Sequence, residues 1–124
     1  VNQIYNITNG DYFRWEHMWP KIAQYFKMDY SFKNNFKISN GIENYFDDVD
    51  NIWKLVSKKE NLIISDLNQL ISFKFANYVF NIDWDVMADT TKAREAGFNE
   101  FINSEKMFIK KFNELKSLNL IPSL

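Results

Sequence analysis

The chain has 124 residues and a mass of 14.9 kDa, enough for one domain and short for two. Fifteen Lys and Arg against sixteen Asp and Glu leave a net charge of −1, which provides no electrostatic footprint for nucleic acid or an anionic membrane. Cysteine is absent, which excludes disulfides, thiolate zinc sites and thiol nucleophiles, and 46% apolar content is too high for a disordered chain. A domain of this length has room to bury roughly two-thirds of its unfolded surface. The opening Val1-Asn2-Gln3-Ile4-Tyr5 shows neither an initiator Met nor a basic-then-apolar leader. No stretch approaches the ~20 apolar residues of a membrane helix, so the expected location is the cytoplasm.

Residues 3–8, rich in β-branched and aromatic types, predict a short strand running into the turn Asn9-Gly10-Asp11. Trp15, Met18, Trp19, Ile22 and Phe26 recur at helical spacing, and Pro20 should kink that helix or delay its regular part. Residues 29–46 have poor periodicity and predict a loop with at most a short strand. Asp47, Asp48 and Asp50 precede a helical stripe of Val49, Ile52, Trp53 and Val56, where first-turn carboxylates suit the helix dipole. A helix over 66–81, capped by Ser65 or Asp66, is expected next, with Leu67, Leu70, Ile71, Phe75 and Tyr78 on its main stripe. Phe73, Ala76 and Phe80 form a second apolar patch opposite, so the helix should be covered on both sides. Lys74 falls within the main stripe and must snorkel unless the wheel is locally wrong.

Residues 84–89 predict a short extended segment ending in the cap Asp89, followed by a two-turn helix stopped by Gly97. Ser104, or Asn103 before it, caps a final helix to about Leu118, which Asn119 and Pro122 end. The expected fold is α+β and mostly helical, about four helices with one to three short strands, in a single domain 1–124.

Chemistry is sparse. His17 is the only histidine and falls opposite the apolar direction of its helix, facing solvent. Asp47-Asp48-Val49-Asp50 lacks the Gly and distal Glu of a calcium loop, and the helix-start reading accounts for its carboxylates. Gly10, Gly41 and Gly97 are isolated, so no Gly-rich phosphate loop can be written. Lys92 and Arg94 near a helix start suggest an anion site, but Asp89 as cap would repel the anion. No Gly-x-Ser-x-Gly nucleophile turn is present.

Two segments carry a resemblance. Asn6-Ile7-Thr8-Asn9-Gly10-Asp11-Tyr12-Phe13-Arg14-Trp15, continuing to Trp19-Pro20-Lys21-Ile22-Ala23, is similar to the stretch opening the C-terminal part of extended short-chain dehydrogenase/reductases. The branch is that of progesterone 5β-reductase, iridoid synthase and their bacterial relatives. Asp89-Thr90-Thr91-Lys92-Ala93-Arg94-Glu95-Ala96-Gly97-Phe98 resembles the Asp-x-x-Lys…Gly-Phe segment of the same superfamily, and the tail through Ile121-Pro122 follows it.

The resemblance implies an NADPH- or NADH-dependent reductase of enones and related carbonyl compounds. Its N-terminal Rossmann domain carries a Gly-rich loop, a catalytic Tyr and a Lys four residues on, and its smaller C-terminal domain covers the substrate. None of the six tyrosines here has that Lys, so neither a catalytic nor a cofactor-binding residue is assigned in this chain. The implied reading is a C-terminal, substrate-binding fragment whose partner is a missing N-terminal Rossmann domain. The family pattern Ser-Trp-x-Phe-Ala-Asp stands here as Ser72-Phe73-Lys74-Phe75-Ala76-Asn77. By position Phe75 would be the pocket aromatic, with Val79 one turn later on the same side; plain core packing is the competing account of both.

A stand-alone helical interaction or dimerisation module and a small apolar-ligand carrier are the alternatives. A missing partner domain predicts an exposed apolar patch near Phe73 and Phe80 and an unpaired opening strand. Abundant Asn, Lys, Ile and Phe hint at a low-GC bacterial genome.

Overall fold

The structure is a computed structural model and describes residues 2–31 and 41–123. It contains helices α1 (Trp15–Tyr25), α2 (Val49–Lys59), α3 (Phe73–Phe80), α4 (Thr91–Glu95) and α5 (Ser104–Ser117). Two 3₁₀ turns, Ile42–Tyr45 and Leu67–Gln69, lie between α1 and α3 in the sequence. The mostly helical expectation holds. The expected strands do not form among the described residues: 3–8 and 85–89 carry no regular secondary structure. A strand is defined by a neighbour's backbone, and among the described residues 3–8 make no backbone-to-backbone hydrogen bond to another segment. The turn signals at Asn34-Asn35 and the apolar Phe32, Phe36 and Ile38 lie outside the described residues.

The chain divides into two compact units. The first comprises Val1–Tyr30 and Asp85–Lys111, the second Ser31–Trp84 and Phe112–Leu124.

In the first unit, α1 runs through Pro20 as one element, with Met18 buried on its apolar stripe. Phe13, Trp15, Trp19 and Phe108 form an aromatic cluster. Phe13 meets Trp15 edge-on at 5.1 Å and Phe108 edge-on at 5.9 Å, and Trp15 lies 5.6 Å from Trp19. Edge-to-face pairs of this kind contribute about 0.5–1.5 kcal/mol beyond area burial. His17 faces solvent, 74% exposed and beside Glu16.

Three helix ends share one device. At α1, Met28 N–H donates to the Ala23 carbonyl at 2.9 Å and Lys27 N–H to that of Gln24 at 3.1 Å, with Lys27 at φ 54. The same pair of bonds closes α4, from Phe98 to Ala93 and from Gly97 to Arg94, with Gly97 at φ 94. It closes α5 too, from Leu120 to Leu115 and from Asn119 to Lys116. This left-handed stop satisfies carbonyls that the helix itself leaves free. The caps read from sequence at Gly97 and Asn119 are therefore real. Asn103 rather than Ser104 caps α5, its Oδ1 accepting from Lys106 N–H at 2.9 Å.

In the second unit, α2 starts after Asp48, carries Asp50 in its first turn and ends on Lys58 and Lys59, an arrangement that follows the helix dipole. Trp53 donates its indole N–H to the Ile64 carbonyl at 3.1 Å. Ile63 N–H donates to the Asn119 carbonyl at 2.9 Å, tying the end of the chain to this unit.

The single helix expected over 66–81 is two elements. Asp66 accepts from Asn68 N–H at 3.1 Å and caps only the 3₁₀ turn; Ser72 Oγ then accepts from Phe75 N–H at 3.2 Å and starts α3 afresh. The break resets the helical phase between Leu70 and Phe73. Lys74 is exposed on α3, at the edge of the side that carries the exposed Tyr78.

The expectation of a large buried core is not met among the described residues. Met18, Leu67 and Ala93 are the buried apolar side chains, and no large side chain is fully buried. Exposed instead are Phe101 at 74%, Trp84, Val86, Met87 and many others. Single exposed apolar residues are ordinary; exposure on this scale is not.

Candidate functional site

The residues that carried the resemblance are structural knots. Asp11 reaches the start of α5: its Oδ2 accepts from Ser104 N–H and its Oδ1 from Ser104 Oγ, both at 2.7 Å. These bonds, the backbone one first, hold the Asp11 carboxyl below its ordinary range. Asn9 donates its amide to Ser104 Oγ at 3.0 Å, and Ile102 N–H donates to the Asn9 carbonyl at 2.7 Å. Between them Gly10 stands at φ 86, where an added Cβ would lie 3.1 Å from Phe101 Cβ, so glycine is required twice over.

The second segment closes on the first. Lys92 donates to the Ile4 carbonyl at 2.9 Å and lies 5.1 Å above the Tyr5 ring. Asn6 donates to the Asp89 carbonyl at 3.1 Å. Asp89 accepts from Thr91 N–H at 2.8 Å from one position before the N-cap Thr90, so it serves the start of α4 as expected but not from the cap position itself. Lys92 is thus engaged with the chain's own backbone and an aromatic ring.

Phe75 and Val79 both lie on α3, about 40° apart on the helix wheel. Phe75 is 66% exposed and Val79 half-buried; Tyr78, one turn from Phe75, is 65% exposed. Phe75 is thus not enclosed by the rest of this chain. The open side of α3 is not the one expected: Phe73, Ala76 and Phe80 are half-buried, while Ile71, Phe75 and Tyr78 are exposed. The reversal follows from the broken helix, because the main stripe was drawn through Leu67 and Leu70, which belong to another element.

The covered side is held by Asn77, whose role the sequence did not signal. Its Oδ1 accepts from Ile42 N–H at 2.7 Å and its Nδ2 donates to Glu43 Oε2 at 2.8 Å. The Asn77 amide holds the Glu43 carboxyl below its ordinary range. The 3₁₀ turn Ile42–Tyr45 packs on α3 at this point.

A shallow open depression of about 400 Å³ lies in the first unit, lined by Pro20, Lys21, Gln24, Met28, Asp29 and Tyr30. Lys21 there is ion-paired with Glu105. Among the described residues no group of three or more His, Asp or Glu is placed to hold a metal. No described helix is long and apolar enough to cross a membrane.

The residues present do not fit a nicotinamide cofactor. The three glycines are isolated, each serving a turn or helix end, and no Tyr-x-x-x-Lys pair exists in the sequence. No redox step is assigned to this chain.

Comparison with known proteins agrees with the resemblance. No family model matches the chain. Over 98% of its length it is 31% identical to an (S)-8-oxocitronellyl enol synthase of Catharanthus roseus. It is 24% identical to a short chain dehydrogenase of Penicillium aethiopicum and 25% identical to a 3-oxo-Delta(4,5)-steroid 5-beta-reductase of Arabidopsis thaliana, each again over 98% of the chain. The chain spans 31%, 35% and 31% of the lengths of these relatives. It is similar to a C-terminal portion of short-chain dehydrogenase/reductases of the 5β-reductase and iridoid synthase branch.

Proposed function

We propose that the chain is the substrate-covering part of an NAD(P)H-dependent reductase of enones or other carbonyl compounds, inactive without a Rossmann domain carried elsewhere in the full polypeptide. The carrying observation is the likeness over 98% of the chain to about a third of each relative. The scale of apolar exposure supports it, since a covering domain needs an apolar face turned to its partner. In this reading the open side of α3 forms one wall of the pocket. Phe75 lies flat against an apolar substrate, Val79 fills the space beside it, and the wall orients the reactive carbonyl toward a nicotinamide held by the other domain. The full protein is read as a cytoplasmic bacterial enzyme, with no nucleic-acid or membrane partner. Homodimerisation of the isolated chain would hide the same apolar surface.

The test is turnover. The product of the whole reading frame containing this chain should oxidise NADPH in the presence of an enone, and residues 1–124 alone should not. A full product that binds NADPH yet reduces neither open-chain nor cyclic enones, nor simple aldehydes, would reject the reading.

A further inference from the structure

We infer that Asn77 is a positioning residue for the α3 face: with Glu43 and Gly41 it forms an amide-specific clamp that holds residues 41–45 on one side of the helix and leaves the Phe75–Val79 side open to a ligand. The inference rests on the reading of that open side as the substrate wall.

The geometry requires an amide. Asn77 accepts from a backbone N–H and donates to a carboxylate at once, through two ends of one planar group. A carboxylate at 77 keeps the first bond and turns the second into a contact between two like charges. An aliphatic residue leaves Ile42 N–H without its acceptor. Glycine at 41 is part of the same device. It stands at φ 88, and a Cβ there would lie 2.6 Å from Glu43 Oε1, so any side chain pushes the carboxylate off Asn77.

The clamp chooses a side. On the helix wheel Phe73 and Phe80 lie together on one side of Asn77, within about 60° of it, whereas Phe75 lies about 160° away. Phe73 and Phe80 are half-buried, and Phe75 and Tyr78 are exposed. A helix apolar on both sides has no intrinsic preference for which side it shows; two hydrogen bonds with Ile42 and Glu43, 35 and 34 positions away in the sequence, set that preference here.

The test uses the 124-residue chain at neutral pH, read by hydrogen exchange of the Ile42 amide and by binding of anilinonaphthalene sulfonate. Glu43→Gln should exchange within about threefold of the wild type, because its carbonyl still accepts from Asn77. Asn77→Asp should exchange roughly tenfold faster or more and bind more dye as Phe73 and Phe80 are uncovered. The double variant Asn77→Asp, Glu43→Gln keeps the acceptor for Ile42 N–H and re-forms the bond between 43 and 77 with donor and acceptor exchanged, and should return protection to within about threefold and dye binding to the wild-type level.

Unchanged protection or unchanged dye binding in Asn77→Asp would overturn the clamp, as would a double variant no better than the single one. If Asn77→Asp unfolds the chain, the double variant decides: a folded chain with a protected Ile42 amide supports the clamp, and an unfolded one overturns it. No substrate enters these measurements, so the clamp and the substrate reading fail separately.

Discussion

Replacing Asp11 by alanine is expected to destabilise the chain by about 2–3 kcal/mol, the largest loss from a single side chain of the first unit. Both carboxylate oxygens accept hydrogen bonds from Ser104, which is only 3% exposed. Removing the carboxylate leaves a buried N–H and the proton of a buried hydroxyl without acceptors, and an unmade hydrogen bond at a buried donor costs more than a made one contributes. It also strips the N-terminus of α5 of its anion.

The pH dependence has a definite sign. The folded-state value of Asp11 lies below the ordinary 3.8, so its contribution is complete above that value and is lost as pH falls through the folded-state value. Asp89 and Glu43 are depressed too and add in the same direction. Urea midpoints of wild type and Asp11→Ala should therefore differ at pH 7 and converge in acid. Equal midpoints at pH 7, or a gap that widens as pH falls, would contradict the assignment.

The second large effect is on binding. Phe75→Ala in the full-length product should weaken binding of an apolar enone roughly tenfold or more, the equivalent of about 1.5–3 kcal/mol for one large side chain withdrawn from an apolar contact. KM should rise while NADPH affinity stays constant, since no cofactor contact is assigned to α3. Val79→Ala should act in the same direction and more weakly. Phe75 is 66% exposed in this chain, so the substitution should cost the isolated chain little stability. That separates a binding role from a packing role: an unchanged KM with a large stability loss would assign Phe75 to the core.

Local signals explain what the sequence disclosed. The stripe from Trp15 to Phe26 gave α1 because its spacing is periodic, and Pro20 is carried within it. Asp89, Gly97 and Asn119 were legible because caps and left-handed stops act within a few residues. The break before α3 was missed because Ser72 competes with Asp66 as a cap, and wheel arithmetic assumes one unbroken helix. Asp11 and Asn77 were illegible for another reason. Asp11 caps a helix that begins 93 residues later, and Asn77 grips a turn 34 residues earlier; no local pattern records either. The resemblance caught Asp11 as part of a motif without saying what it does. It noted Asn77 as a departure from the family pattern, and the structure explains that departure by the carboxylate of Glu43.

The central claim is that this chain works as the substrate side of a larger reductase. Sequencing the coding DNA upstream of the Val1 codon tests it most directly. The account predicts an open reading frame continuing upstream, encoding a strand, a Gly-rich turn and a helix, and further on a Tyr-x-x-x-Lys helix. A start codon immediately before Val1 would contradict it, and would leave a stand-alone binding module as the better description.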